Sequence, residues 1–157
     1  MVITIVDGRS GSGKTRLAAQ LSAAGGGRVI HMDDLYAGWH GLATGSRLLE
    51  RGILGPLAAG ERPTWRRWDW AAGDWGAEES AVPGERLIVE GCGSLTIETR
   101  RHADRAIWLA APEAVRRTRA FERDGDDSWW QLWREQEDAH ILANAPAALA
   151  DEVRTTG

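Results

Sequence analysis

Gly8-Arg9-Ser10-Gly11-Ser12-Gly13-Lys14-Thr15 constrains this chain more than any other stretch. The apolar run Val2-Ile3-Thr4-Ile5-Val6 leads into it, and Leu17, Ala18, Leu21 and Ala24 follow at helical spacing. The pattern G-x-x-x-x-G-K-[ST] between a buried strand and a helix is a P-loop. Its glycines let the backbone curl so that successive N–H groups face one anion, and the helix adds the positive end of its dipole. Gly8, Ser10, Gly11, Ser12, Gly13, Lys14, Thr15 and Arg16 are therefore the expected nucleotide-binding residues. Lys14 is expected to reach the β- and γ-phosphates as a point charge, and the Thr15 hydroxyl to be a ligand of Mg²⁺. Of the 19 Lys and Arg residues, 18 are Arg and the single Lys is Lys14. A genome rich in Arg codons accounts for the scarcity of Lys, but not for where the one survivor stands.

At 157 residues and 43% hydrophobic, the chain has the size of one domain with one core. A formal charge of −4 with no basic tail argues against duplex nucleic acid or an anionic membrane as partner. Cys92 is the only cysteine, so no internal disulfide forms, and its glycine neighbours suit a small buried side chain better than a nucleophile. No apolar run has the length of a membrane span, and Met1 stands almost directly before the first strand, so a cytoplasmic protein is expected.

Beyond Gly25-Gly26-Gly27, Arg28-Val29-Ile30-His31 reads as a second strand with Asp33, Asp34 and Tyr36 after its end. In an open parallel sheet ligands bind beyond the carboxyl ends of the strands, so Asp33 and Asp34 share a rim with the P-loop. Ser46 is expected to cap a helix through Leu48, Leu49, Ile53 and Leu54 that stops at Gly55-Pro56. Trp65, Trp68, Trp70 and Trp75 show neither helical nor strand periodicity, so this stretch reads as a loop, either stacking on a flat ligand or roofing a small core. Arg86–Gly91 and Arg105–Leu109 read as buried strands, the first placing Glu90 on the rim. Pro112 opens the next helix, whose Arg116, Arg119 and Arg123 share a face before Asp124-Gly125 ends it. Ser128 is expected to cap a last helix through about Ala143, with Trp129, Trp133, Gln136 and His140 on one face. The tail from Ala150 to Thr155 reads as an edge strand or a frayed end.

These pieces permit phosphoryl transfer, which needs a cradle, a metal, a group near the acceptor hydroxyl and mobile cations. Asp33 is the expected base, with Asp34 second. Thr15, Asp33 and Glu90 are the expected Mg²⁺ residues; Arg116, Arg119 and Arg123 would neutralise transition-state charge from a lid over about residues 116–128.

Gly8–Thr15, Met32-Asp33-Asp34-Leu35-Tyr36, Arg67-Trp68-Asp69-Trp70 and Val89-Glu90-Gly91 together resemble the uridine kinase-like branch of the P-loop nucleoside and nucleoside-monophosphate kinases. The resemblance runs nearly end to end. It implies a three-layer α/β/α fold with a five-stranded parallel sheet of order 2-3-1-4-5. It also implies ATP or GTP as donor with Mg²⁺, a nucleoside-like acceptor, Asp33 as base, and a substrate site made by Asp34, Tyr36, Trp68 and Asp69. Trp68 replaces the family's tyrosine and Leu35 its phenylalanine, and the chain is shorter than typical uridine kinases. A monomer or homodimer is expected. A second function compatible with these residues is a nucleotide-binding regulatory module with no small-molecule acceptor.

Overall fold

The computed structural model describes residues 2–157. Strand β1 (Ile3–Gly8) feeds the P-loop, and α1 (Lys14–Gly25) leaves it. Next come β2 (Arg28–His31), one 3₁₀ turn over Met32–Asp34, and helix α2 (Leu42–Arg47). A π-helical segment, Leu48–Leu54, runs on into α3 (Gly55–Ala58). Strands β3 (Thr64–Asp69) and β4 (Asp74–Ser80) form an antiparallel hairpin outside the main sheet. The chain then returns through β5 (Leu87–Glu90), α4 (Ile97–Arg100) and β6 (Arg105–Ala110). Helices α5 (Glu113–Asp124), α6 (Trp130–Asn144) and α7 (Pro146–Leu149) precede the edge strand β7 (Glu152–Thr155).

The main sheet is parallel throughout, in the order β2-β5-β1-β6-β7. Counted without the hairpin, its strands run 2-3-1-4-5, as the resemblance implies. Successive side chains of a strand point to opposite faces, so a central strand covered on both sides must be apolar at nearly every position. Ile3, Ile5, Leu87 and Val89 accordingly join one core with Met32, Tyr36, Leu49 and Trp133. Val6, Ile88, Ile107 and Leu109 join the other, beneath Leu17 and Ala18 of α1. No helix is long and apolar enough to cross a membrane among the described residues.

Three local expectations are corrected. The tryptophan-rich stretch is the β3–β4 hairpin, whose register shifts between Arg66 and Trp68; this bulge breaks the two-residue alternation that marks a strand. Ser46 lies inside helical chain, its hydroxyl donating to the Leu42 and Gly93 carbonyls, and Pro56 falls in the first turn of α3, where a missing amide costs least. Ser128 does not cap α6, because its hydroxyl is spent on Asp126 at 2.6 Å.

Asp7, at the end of β1, is wholly buried. Its carboxylate accepts the amides of Gly8 at 2.7 Å, Gly93 at 3.1 Å and Leu95 at 2.9 Å, and lies 2.9 Å from His140 Nε2. It thus ties β1, the segment after β5 and helix α6 into one knot behind the P-loop. Asp7→Ala leaves four buried partners unmatched and is expected to destabilise the fold by about 3–5 kcal/mol. A fall in urea midpoint at constant m-value is the measurement that checks it.

Candidate active site

The P-loop divides its amides between the protein and an anion. Gly8 N–H donates to Asp7, Ser10 N–H to Glu137 Oε2 at 2.6 Å, and Ser12 N–H to the Arg9 carbonyl at 3.2 Å. The amides of Gly11, Gly13, Lys14 and Thr15 find no acceptor among the described residues. A row of such donors at a helix N-terminus fits a phosphate chain. Gly11 has φ +78°, and a Cβ there would run into the Arg116 backbone carbonyl, so loop and α5 approach as closely as glycine permits.

Lys14 is buried, and its Nζ donates to the Arg9 carbonyl at 2.8 Å. Burial works against its charge, but Cys92, Glu90, Glu137 and Asp7 nearby together outweigh that and hold its pKa above the ordinary value. Thr15 Oγ1 donates to Glu90 Oε1 at 3.1 Å, and the same oxygen lies 2.6 Å from His31 Nδ1. Glu90 is only 3% exposed. The hydrogen bond to Glu90 raises the pKa of His31. Asp33 reaches the same rim from the 3₁₀ turn. Asp33 is exposed at the cavity mouth, yet desolvation by the cavity walls pushes its carboxyl pKa up and Glu90 adds to that, while Lys14 and Arg123 pull against it.

Lys14, Thr15, Asp33 and Glu90 open onto one cavity of about 400 Å³. Arg123 lines it too, paired with Asp124 at 2.8 Å. The far wall is aromatic: Tyr36, Trp39, Trp70, Trp129 and Trp133. The Tyr36 hydroxyl donates to the Cys92 carbonyl at 2.5 Å, and burial pushes the Cys92 thiol up, away from nucleophilic use. A second cavity, of about 590 Å³, lies on the outer side of the P-loop. Ser12, Gly13, Arg16, Arg119, Arg154 and Thr156 line it.

Several expected site residues lie elsewhere. Asp34 faces the hairpin, 3.3 Å from Arg67. Trp68 packs edge-on against Trp75 at 5.2 Å and does not line the cavity. Asp69 accepts the amides of Ala71 and Ala72 and so closes the hairpin turn. The bulge and turn send Trp70 to the cavity instead. The three arginines share a helix face but not a task. Arg116 is buried, donates to the Ala111 and Ser10 carbonyls, and lies over Trp130. Arg119 donates to the Gly11 carbonyl and to Thr156. Both brace the loop from behind, so only Arg123 stands where it can meet transferring charge. Glu137 of α6 also holds the loop, and the 116–128 segment meets the P-loop at its base through Arg116 and Arg119.

No protein family and no curated protein matches the chain. Solved structures do. A possible uridine kinase from Bacillus stearothermophilus superposes with a TM-score of 0.69 at 22% identity, over 97% of this chain and 87% of that one. This is the three-layer α/β/α P-loop fold. A Silicibacter sp. TM1040 protein provisionally named a fructose transport system kinase matches at TM-score 0.54 and 22% identity, over 98% and 89% of the two chains. An uncharacterized protein from Eubacterium ventriosum matches at TM-score 0.56 and 10% identity, over 100% and 89%. At such identities the likeness establishes the fold; the chemistry rests on this chain's own residues.

Asp7, Glu137, His140 and the cavity-lining Trp39, Trp129 and Trp133 carry the site but were not legible as site residues. For Asp7 a signal existed: a carboxylate directly after Ile-Thr-Ile-Val is costly to bury unless bonded.

Proposed function

We propose that this protein is a kinase that transfers the γ-phosphate of ATP, or of GTP, to a hydroxyl of a small molecule. The observation that carries the reading is one cavity lined together by Ser10, Lys14 and Thr15 of the P-loop and by Asp33 and Glu90. The acceptor hydroxyl would sit at Asp33, whose carboxylate takes its proton as the oxygen attacks the γ-phosphorus. The bond from that phosphorus to the bridging oxygen breaks, and the nucleoside diphosphate leaves. Lys14 and Arg123 offset the charge on the transferring group. Arg16 and Arg119, in the second cavity, would meet the base and ribose of the donor.

No cluster of three or more His, Cys, Asp or Glu side chains able to hold a metal lies among the described residues. That suits Mg²⁺, which keeps several waters and binds one or two protein groups plus phosphate oxygens. Thr15 and Glu90 would hold it, with Asp33 adjacent, and its chemistry there is charge neutralisation on the phosphates. The acceptor resemblance to nucleoside kinases rests on Arg67–Trp70, of which Trp70 alone lines the cavity. The working setting is the cytoplasm, with no nucleic acid or membrane partner, as a monomer or homodimer.

Calorimetry should record uptake of Mg·ATP or Mg·GTP, and γ-labelled nucleotide offered with a panel of alcohols should give a labelled product. Folded protein that takes up neither nucleotide overturns the proposal. Uptake with no acceptor across a broad panel replaces it with a regulatory nucleotide-binding module.

A further inference from the structure

Glu90 stands in a row of side chains that the sheet otherwise makes apolar. Parallel pairing sets it beside His31 on one flank and Val6 on the other, with Ile107 beyond Val6. Paired residues point to one face of a sheet, and on this face Val6 and Ile107 pack beneath Leu17 and Ala18 of α1. A carboxylate 3% exposed in such a row needs partners to carry a charge. Val6 offers none. They come from the edge strand β2 and the first turn of α1: His31 Nδ1 at 2.6 Å and Thr15 Oγ1 at 3.1 Å, both on Oε1.

A carboxylate that ligates a cation is ionised and can only accept hydrogen bonds. Nδ1 therefore carries a hydrogen toward Glu90, in the neutral ring as in the charged one, and Thr15 gives its hydroxyl proton the same way. Thr15 Oγ1 keeps its lone pairs for a metal. Glu90 Oε1 is spent on two donors, whereas Oε2 takes no hydrogen bond among the described residues and is not sealed from the cavity that Glu90 lines. His31 itself does not line that cavity, and its side chain is 41% exposed. Its reach to the site is through Glu90.

The last torsion of a glutamate is broad, so a carboxylate held by Thr15 alone turns among orientations from which the metal must select. A second donor on the same oxygen removes that freedom before the metal arrives. Supporting bonds of this kind are worth about 10–100-fold in metal affinity. A ring beside a metal-binding carboxylate has an opposite effect open to it, since a charged imidazole repels the cation. The two differ in sign.

We infer that His31 is a positioning residue for the metal: its Nδ1–H locks Glu90 Oε1 and so keeps Oε2 free for the Mg²⁺ that accompanies the nucleotide. The inference rests on the proposed kinase, in which Thr15 and Glu90 hold that ion.

The test is calorimetry on the full chain, by displacement where uptake is weak. Affinity for Mg·ATP is divided by affinity for ATP in EDTA, and the ratio is the metal's contribution to binding; GTP replaces ATP if it is the nucleotide taken up. His31→Ala should lower this ratio about tenfold, with metal-free uptake and melting temperature close to those of wild type. His31→Asn, whose amide nitrogen stands two bonds from Cβ as Nδ1 does, should restore most of the ratio. His31→Gln, whose amide lies one bond further out, should not. A ratio that is unchanged or raised in His31→Ala overturns the inference, and so does rescue by Gln equal to that by Asn. Wild-type uptake that gains nothing from Mg²⁺ overturns it as well. Uptake of neither ATP nor GTP in any form is a separate result, which brings down the kinase reading and this inference with it.

Discussion

Lys14→Ala is expected to weaken Mg·ATP binding beyond calorimetric detection at micromolar protein and to lower kcat/KM by on the order of 10²–10³-fold. The P-loop amides fix where the phosphates lie, and Lys14 brings a full positive charge to the cavity they border. Its ammonium is buried over the Arg9 carbonyl. With its surroundings, Cys92 and the carboxylates of Glu90, Glu137 and Asp7, holding its pKa above the ordinary value, it is charged at neutral pH. Loss of the variant's activity should therefore be independent of pH around neutrality. Lys14→Arg should fail nearly as badly, because a planar five-donor fork cannot take the place of a compact ammonium under the loop. The far-ultraviolet spectrum and melting curve identify any variant that has lost its fold. Turnover within threefold of wild type in a folded Lys14→Ala protein would leave the phosphate cradle without support.

What the sequence made legible was what strong local pattern specifies. β1, the P-loop and α1 form one uninterrupted signal, and the parallel strands announce themselves as apolar runs because both their faces are covered. The strand order followed from the resemblance and agrees with the pairing of β5 between β1 and β2. Asp33 and Glu90 fell at strand ends, where topology alone puts side chains on one rim. The hairpin was not legible, because its bulge scrambles the alternation that would have separated Trp65 from Trp68. Nor was the division of labour among the arginines. Spacing of three and four places Arg116, Arg119 and Arg123 on one face, but the close approach of α5 to Gly11 turns the first two onto loop carbonyls. That contact joins residues about a hundred positions apart, and no local period encodes it. The same holds for Glu137 and His140: their helix was foreseen, and its face with Trp133, but not that this face would meet the back of the P-loop.

Asp33→Asn separates the two things the site asks of this residue. As the base it must be ionised to accept the acceptor's proton, so the substitution should lower kcat by about 10²–10⁴-fold. Mg·ATP uptake should persist, since the phosphate amides, Lys14, Thr15 and Glu90 are untouched. The raised pKa predicts a second effect of opposite sign on the fold. Desolvation by the surrounding cavity walls, with Glu90, holds the folded-state pKa above the unfolded value although the residue is exposed, so the unfolded chain gives up this proton first. Stability linked to Asp33 is thus lost as pH rises through the window between the two values, and at neutral pH the ionised carboxylate is a net burden. In nucleotide-free protein Asp33→Asn should therefore melt higher than wild type at pH 7, with the advantage shrinking as pH falls toward the acid range. For wild-type turnover the sign reverses: kcat/KM should fall on the acid side through a pKa above that of an ordinary aspartate, as the base becomes protonated. A residue that served only to cap the 3₁₀ turn would cost stability when replaced and leave the acid limb where it was. Gain in melting temperature with loss of turnover is the pattern of a carboxylate kept for chemistry rather than for folding.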